Sequence, residues 1–263
     1  MPSKLCIFGA GGPLSAAAVP WLKDDYELLL TDVRELDEVL EGHPVQEGAP
    51  LPERPEPPHE WRVVDIFDYG QVRDAAVGMD ALINCSVVRR DPKPAFQVNV
   101  CGAYNVMKAA VECGVKRVIH TGPQHTMAGF EGDYRDAYAI PDEMPMISGS
   151  GLYAHTKHLA DEIVRIFAEE HKLETISFRY SSFRYGNPPD DFDGKPAGVT
   201  PLAVSWEDAG AAFRDGLRAE SLPSFFEAFH ICAPMPLGKY SGEKAQRMLG
   251  WRPQHTLDYL YTR

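Results

Sequence analysis

Lys4-Leu-Cys-Ile-Phe-Gly9-Ala-Gly-Gly-Pro-Leu-Ser15 decides how the rest of the chain is read. Its apolar half is a short buried strand, and its second half is a glycine-rich turn that opens a helix. Gly9 and Gly11 fill the first two positions of G-x-G-x-x-G, but Leu14 stands at the third. The shifted register Gly9-x-x-Gly12-x-x-Ser15 ends on a small residue instead. Glycine is needed where the chain turns tightly and where backbone N–H groups must approach a pyrophosphate with no Cβ between them. Pro13 suits the first helical turn, where its missing N–H costs nothing. Taken alone, such a turn also reads as an ordinary strand-to-helix connection.

Asp32 adds the second half of a dinucleotide signature. It ends the apolar run Glu27 to Thr31, 20 positions after Gly12 (32 − 12), where a carboxylate accepts hydrogen bonds from an adenosine ribose. A carboxylate there repels a 2′-phosphate, which favours NAD over NADP, while Arg34 offers such a phosphate a counter-charge. Asp65 is a candidate acceptor for the adenine amino group or a cap for the next helix.

The β-α-β pattern repeats. Strands are predicted at Lys4 to Phe8, Glu27 to Thr31, Trp61 to Val64, Ala81 to Asn84, Arg117 to Thr121 and Glu174 to Tyr180. Helices are predicted at Leu14 to Leu22, Tyr69 to Val77, Ala95 to Cys113 and Leu152 to His171. This alternation predicts an α/β fold, a Rossmann-type doubly wound parallel sheet over residues 1–180 that carries the NAD site. After Tyr180 the pieces shorten: Val199 to Val204, a helix near Asp208 to Glu220, Phe229 to Cys232 and a helix from Ser241. Residues 181–263 read as a small substrate-binding lobe packed on the sheet. His43 to His59, with six prolines, reads as a solvated loop. Gly122 to Gly149 follows the C-terminal end of a strand and is a candidate substrate wall.

Composition narrows the setting. The 263 residues with 44% hydrophobic content are enough for a sizeable core. Five scattered cysteines with no C-x-x-C spacing argue against a disulfide framework or structural zinc, and a reducing, cytoplasmic setting fits them. The apolar run before the glycines is too short for a signal peptide or a membrane span. A net charge of −12 disfavours nucleic acid and anionic lipid as partners.

The chemistry sits in Gly151-Leu-Tyr-Ala-His-Thr-Lys-His-Leu-Ala-Asp161. Residues four apart on a helix share a face, so Tyr153 and Lys157 can reach one ligand. A free phenol has a pKa of about 10, too high for a base at neutral pH, but nearby positive charge favours the phenolate. A third group is needed to hydrogen-bond the developing carbonyl. Thr121, Gln124, His125 and Thr126 are candidates, with Gln124 and Thr126 preferred. Ser86 follows the fourth strand beside the cleft. Arg89 and Arg90 just beyond it read either as a carboxylate or phosphate site on the substrate or as solvated surface cations. His120, His155 and His158 form no metal triad with carboxylates. Cys85 reads as a small buried hydrophobe.

These landmarks, in this order, resemble the extended short-chain dehydrogenase/reductase superfamily, in its branch of NAD-dependent epimerases and dehydratases. The resemblance covers nearly the whole chain. Gly9-x-x-Gly12, with Pro13 and Leu14, is similar to the nucleotide turn, Asp32 to the ribose acceptor and Asp65-Ile66 to the adenine contact. Asn99-Val-x-Gly-Ala-x-Asn105, then Gly114-Val-Lys-Arg117-Val, resembles the helix and strand before the active site. Tyr153-x-x-x-Lys157 matches the catalytic pair, and Arg179 with Tyr185-Gly-Asn-Pro188 the segment after the sixth strand. Trp206-Glu-Asp208 and Leu249-Gly-Trp-Arg-Pro253 resemble the C-terminal lobe.

Within that branch the chain is most similar to uronate dehydrogenases, through Gln124-His-Thr126 and the Ser181-Ser182 pair. The resemblance implies an NAD-dependent dehydrogenase or epimerase acting on a hydroxyl of a sugar or sugar acid, with Tyr153 as acid/base, and a homodimer. It implies cofactor contacts at Cys85, Ser86, Asn99, Tyr153, Lys157 and Tyr180, and substrate contacts at Ser86, Arg89, His125 and Ser182. Two departures stand out. The family's catalytic Ser/Thr falls on Pro123 or Gln124, and no arginine for a uronate carboxylate is found between Pro188 and Val204. A non-catalytic NAD(P)-binding sensor or scaffold and a sugar-nucleotide epimerase/dehydratase are the alternatives.

Overall fold

The apolar N-terminal run forms β1 (Ser3–Phe8), and Leu5 to Phe8 are all buried. Leu5 and Ile7 pack into one hydrophobic cluster while Cys6 and Phe8 pack into another, as a strand with both faces covered requires. The computed structural model describes residues 3–42, 48–123, 139–143, 148, 151–190, 192 and 202–261.

β1 pairs in parallel with β2 (Tyr26–Asp32) on one side and β4 (Ala81–Asn84) on the other. β3 (Glu60–Val63) adds to β2, while β5 (Arg117–Pro123), β6 (Glu174–Tyr180) and β9 (Phe226–His230) extend the sheet beyond β4. The order is β3-β2-β1-β4-β5-β6-β9, and every pairing is parallel. Successive strands move outward from β1 in one direction and then from β4 in the other, so the crevice lies beyond the C-terminal ends of β1 and β4. The glycine turn leaves β1 there, and Cys85 and Ser86 leave β4 beside it.

Helices α1 (Pro13–Leu22) and α7 (Trp206–Arg218) cover one face; α3 (Tyr69–Ala76), α5 (Gly102–Glu112) and α6 (Leu152–His171) cover the other, and the short α2 (Leu36–Leu40) follows β2. The helix predicted over Ala95 to Cys113 is not continuous. A short α4 (Pro92–Ala95) runs into a wide π-type turn, Phe96–Cys101, before α5 begins. Asn99, in that turn, bonds outward to the β4–α4 loop; such widened turns gather at functional sites.

The segment after Tyr180 is divided between two structures. β9 joins the main sheet and α7 packs against α1, whereas β7 (Ser182–Arg184) and β8 (Ala203–Ser205) form a separate two-stranded sheet. The motifs at 206–208 and 249–253 are tied together. Trp251 Nε1 donates to the Asp208 carbonyl (2.9 Å), and the Asp208 carboxylate accepts from the Gln254 and His255 N–H groups at 2.9 and 3.0 Å. The proline-rich loop is less solvated than its composition suggests: Ala49 is buried against Ala17 and Trp206, and His59 Nδ1 accepts from the Leu28 N–H.

Candidate active site

Gly9 takes φ +79°, and a Cβ there would stand 2.7 Å from the Ser86 backbone nitrogen, so the ends of β1 and β4 touch only because this residue has no side chain. The Gly9 and Ala10 N–H groups donate to the Thr31 carbonyl (2.9 and 2.8 Å). Ser15 is fully buried, and its hydroxyl donates to the Gly9 carbonyl at 3.0 Å, so the residue standing where the fingerprint ends in glycine fastens the turn.

Asp32 faces this turn. One carboxylate oxygen accepts from the Gly11 N–H at 3.0 Å; the other accepts from the Arg34 backbone N–H and Nε at 3.2 and 3.0 Å. With Asp65, Ile66, Ser86, Gly9 and Gly12 it lines a cavity of about 300 Å³. Asp65 accepts from the Phe67 N–H in a tight turn, and the cap of α3 is Asp68. The family-like helix motif braces the floor: Asn105 donates to the Ile66 and Phe67 carbonyls, and a Cβ on Gly102 would come within 2.9 Å of Ile66. A bare-backbone turn beside a half-committed carboxylate and an apolar slot fits the adenosine and pyrophosphate of NAD.

A second cavity of about 420 Å³ continues from Gly12, Pro13, Leu14 and Ser15 to the opposite wall, where Tyr153, Lys157 and Tyr180 stand with Cys85, Arg89 and Thr121. Tyr153 and Lys157 lie in the first two turns of α6, whose N-cap is Gly151. Lys157 is buried, and desolvation pulls its ammonium down to about 8, although Asp161 one turn on works in the opposite direction. Burial raises the Tyr153 phenol; the opposing influence is Arg89, whose guanidinium lies 5.1 Å from the ring centroid. Burial likewise pushes the Cys85 thiol up to about 11, so it is an inert wall residue. Thr121 donates its hydroxyl proton to the Asn84 carbonyl at 3.0 Å.

A buried polar layer lies under α6. Asp161 accepts from Ser177 Oγ at 2.6 Å and is ion-paired with Arg179, all three inaccessible to solvent. His120 on β5 is buried beside them with no hydrogen bond on either ring nitrogen. Burial first, and then Lys157 and Arg179, hold it well below the usual histidine range and therefore neutral.

Not every expected contact is at the cavities. Asn99 lines neither: its side chain accepts from the Val88 N–H (2.9 Å) and donates to the Val88 carbonyl (2.7 Å) and to Thr156 Oγ1 (2.8 Å), bracing loop against helix. Ser182 pairs through its backbone N–H with Leu202, and it is Ser181 that reaches the cavity holding Tyr153. Ser86 lines the adenosine-side cavity, not the one holding Tyr153. Gln124, His125 and Thr126 lie outside the described residues. Sequence reasoning missed Phe183 and Trp206, whose rings stack at 4.2 Å to close the far wall, and Asp161 behind the lysine. A tryptophan N-terminal to a helix and an aspartate one turn after Lys157 were the available signals.

Comparison with known proteins shows the family and the fold. The model of the NAD dependent epimerase/dehydratase family matches residues 6–208. An NAD-dependent glucose-6-phosphate dehydrogenase of Haloferax volcanii is 23% identical over 97% of this chain and 94% of its own. A uronate dehydrogenase of Pseudomonas putida is 27% identical over 68% of this chain and 61% of its own. The fold is shared with a uronate dehydrogenase of Agrobacterium tumefaciens, whose mutant complexed with NAD superposes with a TM-score of 0.77 at 20% identity, over 98% of this chain and 88% of that one. Because that family model matches about three quarters of it, the chain belongs to the NAD-dependent epimerase/dehydratase family, whose cofactor is NAD.

Proposed function

We propose that this enzyme oxidises a secondary hydroxyl of a sugar or sugar acid, with Tyr153 as the general base. The observation that carries the reading is the single cavity running from the end of the glycine turn to Tyr153 and Lys157. NAD, when bound, supplies the hydride acceptor. Gly9, Gly12, Pro13 and Leu14 would hold its pyrophosphate side, Asp32, Asp65 and Ile66 its adenosine, and Lys157 with Cys85, Ser86 and Tyr180 the remainder. Tyr153 takes the proton of the substrate hydroxyl as the carbonyl forms, and Lys157 supplies positive charge one helical turn away. Gln124 or Thr126 hydrogen-bonds the developing carbonyl, because Thr121 already spends its proton on Asn84.

Arg89 is the cation available to a carboxylate or phosphate on the substrate, and both relatives named above act on sugars carrying such a group. Ser181 completes the substrate side, with Phe183 and Trp206 forming its wall. The test is absorbance of NADH across a panel of aldoses, sugar phosphates, uronates and nucleotide sugars. Turnover of anionic free sugars supports the proposal; NAD binding with turnover of none would replace it with a sensor or scaffold. Five unpaired cysteines support a cytoplasmic setting. The exposed apolar side chains of Phe96, Tyr104 and Ile166, on and beside the packed helices α5 and α6, support a homodimer, which sedimentation would measure.

A further inference from the structure

We infer that Arg89 is a positioning residue of the catalytic centre: it fixes the Tyr153 phenol and stabilises its ionised form, whatever it does for the substrate. The inference rests on the reading of Tyr153 as acid/base but concerns a residue the family's Tyr-x-x-x-Lys pair does not include. Three observations converge. The guanidinium lies against the Tyr153 ring, 5.1 Å from its centroid. Both side chains line one cavity. The backbone next to Arg89 is bolted to the helix that carries Tyr153. Asn99 grips both polar groups of Val88 and also donates to Thr156 Oγ1 at 2.8 Å, and Thr156 lies on α6 between Tyr153 and Lys157. A loop arginine would ordinarily wander; this one is held against the phenol by a bridge anchored in the same helical turn.

The charge arrangement shows why such a cation is useful. The titratable groups around Tyr153 among the described residues of this cavity are Lys157 on α6, Cys85 after β4, Tyr180 on β6 and Arg89 in the β4–α4 loop. Cys85 and Tyr180 are both held neutral by burial. Lys157 is pulled down to about 8, so its positive charge is lost as the pH rises through the mildly alkaline range. A guanidinium keeps its charge at every such pH. Arg89 therefore supplies the permanent charge that offsets the desolvation of the phenolate, where the position of the hydroxyl usual beside this tyrosine falls on Pro123 or Gln124.

The test is an ultraviolet difference titration of tyrosinate, each protein against its own Tyr153→Phe version, for wild type, Arg89→Gln, Arg89→Ala and Arg89→Lys, with and without NAD. Arg89 is exposed, so these variants should fold. The expected result is that the Tyr153 midpoint rises by about one pH unit in Arg89→Gln and Arg89→Ala, the size expected of one cation a few ångströms away, and that Arg89→Lys restores most of the difference. The acidic limb of kcat/KM moves the same way. An unchanged midpoint in Arg89→Gln and Arg89→Ala, including the case where KM alone rises, would overturn the inference and leave Arg89 a substrate contact only. The titration needs no substrate, so a failure to find a turned-over sugar would count against the proposed reaction and not against this role.

Discussion

Replacing Asp161 by alanine should destabilise the enzyme well beyond the loss of one side chain. Asp161 is fully buried, its partner Arg179 is 3% exposed, and it also accepts from Ser177 at 2.6 Å. A buried pair gains little over an apolar one, but removing one member strands charge in a medium that solvates it poorly, which costs about 3–5 kcal/mol. In a domain of this size, where 1 kcal/mol shifts Tm by about 2–4 °C, the fall is about 6–20 °C. Urea denaturation of the NAD-free protein is the assay, run on Asp161→Ala, Arg179→Met and the double variant Asp161→Leu/Arg179→Met. The double variant should recover most of the stability lost by Asp161→Ala, because both charges leave together. A single-variant loss below about 1 kcal/mol, or a double variant no better than the sum of its parts, would refute the claim that this pair is the buried keystone under α6.

Lys157 should act in the opposite sense. Its folded pKa of about 8 lies below the free value of 10.5, so folding carries a cost that is fully present below about pH 8 and is relieved as pH rises toward 10.5. Lys157→Met is therefore expected to be more stable than wild type by about 2–3 kcal/mol at pH 7, with the gap closing by pH 10 in denaturation curves, while NAD affinity measured by calorimetry falls. Ser15→Ala removes the hydroxyl bond to the Gly9 carbonyl and should cost about 1 kcal/mol. Ser15→Gly, which restores the family's glycine, should cost more, because glycine also adds backbone entropy near a helix start, and thermal denaturation ranks the two.

The strand ends were legible because a parallel sheet buried on both faces writes itself as short apolar runs: Ala81 to Asn84 and Glu174 to Tyr180 coincide with the observed strands. Gly9, Asp32, Tyr153 and Lys157 were legible because a pyrophosphate, a ribose and a shared helical face each demand one residue type at one spacing. What depended on side-chain direction was not. Ser181 and Ser182 are indistinguishable in sequence, yet only the first reaches the cavity. Asn99 looked like a cofactor contact because it stands in a family-like motif, and its bonds to Val88 and Thr156 depend on a widened turn that no periodicity announces. The stacking of Phe183 on Trp206 joins residues 23 positions apart (206 − 183) on separate strand and helix ends, and the pairing of Asp161 with Arg179 crosses from helix to sheet. β9 was read as part of an appended lobe because its position in the sheet follows from the packing of α7 on α1, not from its own five residues.

The most direct test of NAD-linked oxidation through Tyr153 is kcat/KM of Tyr153→Phe on the best substrate of the sugar panel, with NAD affinity measured on the same preparation. A phenylalanine keeps the ring that Arg89 covers but cannot accept a proton, so the expected result is unchanged NAD binding with a loss of at least about 100-fold in kcat/KM. Turnover within about tenfold of wild type would contradict Tyr153 as the base.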